Sequence, residues 1–267
     1  MEKIVVAVDD SESALHALQF GQTFAAQLGV EVSAISVVPT QDEIGPLRAK
    51  LQGRLASHHL DAVAIDVVAH DSVKAYLGEL ASCEDTGLCM MAHGRRPVPE
   101  MLIGSVTAGV VRRAQRPVYL CGPRYDSRAH QRVDVLAVCV DGSKLSEKIL
   151  PYVATLSKRL GARLQLLQVI DASAARKSTA LGHTDVMESA YLNALARRVE
   201  SEQKLEVDWE VLHGDPADSI VSYLAGSHNT MLAMTTHGRS GLSQVVAGSV
   251  SHEVLHEASC PVAVLRP

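Results

Sequence analysis

The chain has 267 residues, enough for one large domain or two of ordinary size. Apolar residues make up 47% and aromatics only 3%, so the core must be built from Val, Leu, Ile and Ala, and the net charge of -5 speaks against unspecific nucleic-acid binding, which needs a basic surface. No apolar run approaches the ~20 residues that cross a bilayer, and the opening "MEKIVVAVDD" lacks the cleavage-like site of a secretory leader, so neither nucleic acid nor membrane is expected as a partner.

In chain order the sequence reads as strands alternating with helices. The strand-like runs of the first half are 4–8, 31–38, 62–68, 87–92 and 117–121; those of the second are 134–140, 163–170, 206–212, 230–235 and 261–265. Most are unbroken Val/Ile/Leu/Ala runs. Strands buried on both faces read this way, which predicts a parallel sheet with helices on both sides. Amphipathic stretches lie between them. Leu145, Ile149, Val153, Leu156 and Leu160 recur at the three- and four-residue steps of one helix face. Ser11 and Ser143 stand where the N-cap of the first helix of each half is expected. Cys121, Cys139 and Cys260 sit in or beside apolar runs and no C-x-x-C occurs. They are read as small buried hydrophobes, and the compartment as a reducing cytoplasm.

The chain repeats itself. "IVVAVDDSESALHAL" (4–18) matches "VLAVCVDGSKLSEKIL" (135–150), pairing Asp9 with Asp141. "HGRRPVPEMLIGSV" matches "HGRSGLSQVVAGSV", pairing Gly94 with Gly238 and Gly104 with Gly248. "RPVYLCGP" matches the closing "CPVAVLRP". Three blocks in the same order mean duplication of a whole domain. The polar stretch "GPRYDSRAHQR" separates two apolar strands and has linker composition. Two doubly wound five-stranded α/β domains follow, at 1–124 and 132–267, with a linker at 125–131.

Ligands of open α/β sheets bind beyond the carboxyl ends of the strands. The residues expected there are Asp9 and Asp141 after the first strand of each half, Val37 and Val169 at the end of the second, and the glycine loops after the fourth. Gly248 at a helix start offers φ freedom and no Cβ, so that backbone N–H groups can approach an anion. The Ser249 hydroxyl can donate to phosphate or cap the helix, whose N-terminus favours negative charge. Gly238 allows a sharp turn and close packing of a sugar, and Asp141 offers an acceptor for an adenine amino group or a ribose hydroxyl. A purely structural use remains open: a Ser-capped strand-to-helix turn, with Asp9 and Asp141 capping the first helices. His93 and His237 either orient the turns or touch a ligand, and Arg239 and Arg95-Arg96 either meet phosphate or are solvated. The twelve histidines are read as offering no metal site, His58 and His59 being adjacent and pointing apart on a helix.

Through "VAVDDS" and "VCVDGS", the two "HGR…GSV" loops, "HGDPADSI" (213–220) and "CPVAVLRP", both halves resemble the universal stress protein family, and nearly the whole chain resembles a tandem member. The resemblance implies a Rossmann-like fold of the adenine nucleotide alpha hydrolase type, with strand order 3-2-1-4-5. It implies ATP or AMP as ligand, magnesium as an accompanying ion, pairing of the two domains along their last strands and homodimerisation. Its motif is G-x-x-G-x9-G-[ST]. Carried over, Asp141 and Val169 hold adenine, Gly238 faces ribose, and Gly248, Ser249 and Val250 bind phosphates, with Thr235 and His237 beside them. Asp9, Val37, Gly94, Gly104, Ser105 and Val106 are the counterparts in the first half. Both x9 spacings are intact, but Thr235 and Met91 replace the first glycine, and Pro97 and Pro99 stiffen the first loop. No dedicated reaction is expected beyond slow ATP hydrolysis. The rival readings are an interaction module with lapsed sites and a slow ATP hydrolase.

Overall fold

The apolar runs become the ten strands of one sheet. In the computed structural model, which describes residues 1–58, 60, 62–93, 103–171, 181–236 and 248–267 (backbone only for 181–186 and 188), the first half carries β1 (Lys3–Ala7), β2 (Glu31–Val38), β3 (Ala64–Ala69), β4 (Thr86–Met91) and β5 (Val118–Cys121). The second carries β6 (Val135–Cys139), β7 (Arg163–Ile170), β8 (Val207–His213), β9 (Thr230–Thr235) and β10 (Val262–Leu265). The described helices are α1 (Ser13–Leu28), α2 (Ile44–Ser57), α3 (Val73–Leu80), α4 (Ser105–Arg113), α5 (Leu150–Leu160), α6 (Leu181–Gln203), α7 (Pro216–Leu224) and α8 (Ser249–Glu257).

The strand order is β3-β2-β1-β4-β5-β10-β9-β6-β7-β8. Each half therefore has the order 3-2-1-4-5, with parallel neighbours. The halves join where β5 and β10 run antiparallel, Val262 opposite Leu120 and Val264 opposite Val118. Alternate residues of these strands feed the two faces. Tyr119, Cys121, Ala263 and Leu265 enter the core beneath α1, α5 and α6. Val118, Leu120, Val262 and Val264 enter the core beneath α3, α4, α7 and α8. Both cores run through both halves without a break. Four of the aromatic side chains cluster beside α1: Phe20 and Phe24 stack with centroids 5.2 Å apart, Phe24 meets Tyr119 at 4.9 Å and Phe20 meets Tyr125 at 6.1 Å. Cys121 and Cys260 are buried and Cys139 is half-buried. Burial pushes the Cys139 and Cys260 thiols up to about 12, so they remain unionised apolar groups.

Two expectations about helix starts need correction. The N-cap of α1 is Glu12, not Ser11, and no side chain caps it. The Ser11 hydroxyl turns to Asp9 instead and lies 2.9 Å from that of Ser13. In the second half the helical face at Leu145 and Ile149 begins as a 3-10 turn (Ser146–Ile149), and the α-helix starts only at Leu150. Pro151 lies in the first turn of that helix, where its missing N–H costs nothing. The N-cap of that turn is Leu145, not Ser143, whose hydroxyl accepts the Ser146 N–H at 3.1 Å from two residues further back.

Polar clamps reinforce the join. Gln27 of α1 donates to the carbonyls of Val133 (2.8 Å) and Leu160 (3.1 Å) and accepts the Val133 N–H at 2.8 Å. His130 is buried between the halves, 2% exposed. Its Nδ1 accepts the Thr230 N–H at 3.2 Å, so the proton resides on Nε2, which has no hydrogen-bond partner. Burial, with help from His228 and against Asp126, lowers its pKa from 6.5. A depressed histidine pKa means that the unfolded chain binds the proton more readily, so stability is present above about 6.5 and lost as pH falls through the folded value.

Two outcomes follow. In urea unfolding, Gln27→Leu lowers stability by about 1–3 kcal/mol, because the Val133 amide loses its acceptor inside the join. The urea midpoint falls between about pH 7.5 and 5.5, and His130→Asn, whose side-chain carbonyl can still accept the Thr230 N–H without titrating, flattens that fall.

Candidate functional site

Of the residues expected of the second half's site, the described ones lie at or beyond the carboxyl ends of β6, β7 and β9. Asp141 follows β6; its Oδ1 accepts the Ser143 N–H at 3.0 Å, and its own N–H donates to the Ser146 hydroxyl at 3.2 Å. Asp9 repeats the turn, accepting the Ser11 N–H at 3.0 Å. Each aspartate thus braces the turn between its strand and the next helix and does not cap that helix, which corrects the capping use left open by the sequence. Val169 and Val250, partly buried, both pack on the apolar core beneath α7 and α8, as Val37 and Val106 do beneath α3 and α4. His237, Gly238 and Gly94 lie outside the described residues, as do Arg95, Arg96, Pro97, Pro99 and Arg239.

The bases of the two glycine loops are built alike. The N–H of Thr236 donates to the Leu265 carbonyl at 2.9 Å, and the Gly248 N–H closes back onto the Thr236 carbonyl at 2.7 Å. In the first half Ala92 donates to Cys121 at 2.8 Å and Gly104 to Ala92 at 3.0 Å. One turn into each helix a hydroxyl secures the closure: Ser251 donates to the carbonyls of Gly248 (3.0 Å) and Thr236 (3.4 Å), and Thr107 to that of Met91 (3.1 Å). None of these hydroxyls was legible as a site residue; the signal is a Ser or Thr three positions beyond each closing glycine.

This corrects the expected part of Gly248. Its φ of -62° and ψ of 157° are open to any residue, so φ freedom is not what glycine supplies. Nor is its N–H available to an anion. Glycine is needed for room, since a Cβ would stand 3.1 Å from the Thr236 carbonyl oxygen. Ser249 does not cap α8. As the first helical residue it presents an exposed hydroxyl, and its N–H and that of Val250 have no partner within the helix. Ser105 and Val106 repeat this at α4. An anion at either start would meet a hydroxyl, amide N–H groups and the positive end of the helix dipole.

The halves differ around this shared frame. Thr235, at the end of β9, is buried, whereas Met91 is partly exposed and packs toward the α1 face. Beside Val37 the first half opens a groove of about 450 Å³ bordered by Asp10, Asp42, Glu43 and Lys50. Lys50 is engaged by Asp10 at 2.6 Å, and among the described residues the carboxylates outnumber the cations along this rim. The stretch after β7 in the second half instead carries Arg176 and Lys177. Near Asp141, Glu147 receives Arg198, Lys144 (3.2 Å) and the Tyr191 hydroxyl (3.3 Å). Partial burial raises the Glu147 carboxyl, but the two cations outweigh it and hold the group below the usual range.

His252 and His256 form an H-x3-H pair on α8, with Glu253 and Glu257 beside them, and His93 of the first half meets His256 edge-on at 5.9 Å. Among the described residues no group of three His, Cys, Asp or Glu side chains is arranged to hold a metal ion.

The model of the universal stress protein family matches residues 1–83 and 133–266, and the chain belongs to that family of stress-response proteins. A universal stress protein of Mycobacterium tuberculosis (Rv2005c) is 26% identical over 98% of this chain and 96% of its own length. The Methanocaldococcus jannaschii universal stress protein MJ0531 is 25% identical over 49% of this chain and 81% of its own. In structure, a universal stress protein from Archaeoglobus fulgidus superposes with a TM-score of 0.68 at 20% identity, covering 99% of this chain and 98% of its own. The first family match ends before β4 and the first glycine loop; the second runs through the second loop.

Gly248→Ala should cost about 1–3 kcal/mol in thermal or urea unfolding, since its backbone angles suit alanine but the added Cβ crowds the Thr236 carbonyl.

Proposed function

We propose that the second half binds an adenine nucleotide, ATP or AMP, and that occupancy selects the conformation or partner through which the protein acts in the stress response. The observation that carries this reading is the start of α8, with its exposed Ser249 hydroxyl and amide groups lacking helical partners above a closed loop base. Ser249 and Val250 receive the phosphates, with magnesium accompanying them. Val169 and Val250 supply the apolar contact for the base, and Asp141 lies at its polar edge. Gly238 and His237 belong to the same loop, and Thr235 backs it from the core. The first half is the weaker candidate. Asp9, Val37, Gly104, Ser105 and Val106 keep their places, but Met91 and the acidic groove work against a nucleotide. No dedicated chemistry is assigned beyond slow ATP hydrolysis.

The same reading divides the chain into domains at 1–124 and 132–267 with a linker at 125–131. It places the protein in the cytoplasm as a homodimer, without nucleic acid or membrane as partner. A second reading, an interaction module with lapsed sites, is favoured by the buried Thr235 at the first glycine position and by the Gly248 N–H already spent on Thr236.

Calorimetric titration with ATP, AMP and cyclic AMP separates the two. The nucleotide reading expects one site per chain, weakened about tenfold or more by Ser249→Ala, the scale of a hydrogen bond to a charged group, and unchanged by Ser105→Ala. Absence of heat with all three nucleotides at high protein concentration leaves the interaction module.

A further inference from the structure

The halves also meet at the start of α4. His252 of α8 reaches across the seam, and its Nε2 accepts the backbone N–H of Ile103 at 2.6 Å. Ile103 immediately precedes Gly104, whose closure onto Ala92 starts α4. The chain segment that opens the first half's helix is therefore held by a side chain of the second half. The contact is one-sided: the repeat places Ala108 of α4 opposite His252 in the alignment, and an alanine has nothing to return.

An imidazole accepts at Nε2 only while neutral, with its proton on Nδ1; the imidazolium donates at both nitrogens. We propose that His252 is a positioning residue for the start of α4: neutral, it fixes Ile103 and Gly104 against α8, and protonated, it releases them. The proposal needs no bound nucleotide.

The surroundings set the direction of the switch. Partial burial, then His93 after β4 and His256 one turn along α8, lower the pKa of His252 from 6.5. Among the described residues, Glu253 and Glu257 are the carboxylates of the same helix. Glu257 meets His256 at 2.9 Å and Arg124 at 2.7 Å, and Arg266 donates to the Arg112 carbonyl at 2.8 Å. A depressed pKa keeps the bond intact above about 6.5 and loses it as pH falls through the folded value.

Amide hydrogen exchange of the full chain, read by NMR as protection factors so that the intrinsic pH dependence cancels, tests this. The Ile103 amide should be about five- to tenfold better protected at about pH 7.5 than at about pH 5, the scale of one net hydrogen bond. The Leu232 amide, bonded to Pro261 at 3.0 Å in the sheet, serves as the internal reference for global folding. His252→Leu should leave Ile103 poorly protected at both pH values. His252→Gln, which keeps an acceptor but does not titrate, should abolish the pH step. Wild-type protection that does not change with pH relative to Leu232, or a step that survives in His252→Gln, overturns the proposal.

Discussion

The antiparallel pairing of β5 with β10 is the constraint on which the rest of the molecule depends. Each is a strand of four residues, buried throughout. Left as edges, they would show water a row of unpaired backbone groups flanked on both faces by apolar side chains. Joining them removes two edges and lets the helix-covered cores of both halves become continuous. It also turns the halves against each other. The strands of one half point their carboxyl ends to the edge of the sheet opposite that used by the other. α8 accordingly begins at the second half's candidate site and ends near the first half's His93, so that its nine residues touch the working regions of both.

Duplication gave the two halves one frame, and they have used it differently. The loop bases are superimposable in logic: strand end pinned to the last strand, closing glycine bonded back, and a hydroxyl one turn into the helix. What differs is the environment offered to a phosphate. Among the described residues the first half borders its groove with Asp10, Asp42, Glu43 and Lys50, and its fourth strand ends in methionine. The second half has a threonine there and follows β7 with cationic sequence. The family match, absent across the first loop and present across the second, divides the halves in the same way.

The architecture was legible in the sequence because runs buried on both faces leave a signal that needs no knowledge of partners. The predicted runs 31–38, 163–170 and 230–235 coincide with β2, β7 and β9. The remaining strand ends shift by one or two residues, where the outcome turns on a single ladder hydrogen bond. Helix starts were less legible, since Ser11 has two competing uses and Asp9 wins its hydroxyl. The bonds around the candidate site were less legible still. Gly248 was credited with torsional freedom, whereas its conformation is ordinary and its N–H is spent at 2.7 Å on a carbonyl twelve residues earlier. The reach of Gln27 to Val133 and of His252 to Ile103 spans 106 and 149 residues. Such pairs depend on the antiparallel join and carry no local pattern.

The central claim is that one chain holds one nucleotide, at the start of α8 and not at the start of α4. The most direct measurement is the amide spectrum of isotopically labelled protein during addition of ATP. The account predicts saturable shifts of the Ser249 and Val250 amides, with those of Ser105 and Val106 unmoved. Equal shifts at both helix starts, or none at Ser249 and Val250, would contradict it.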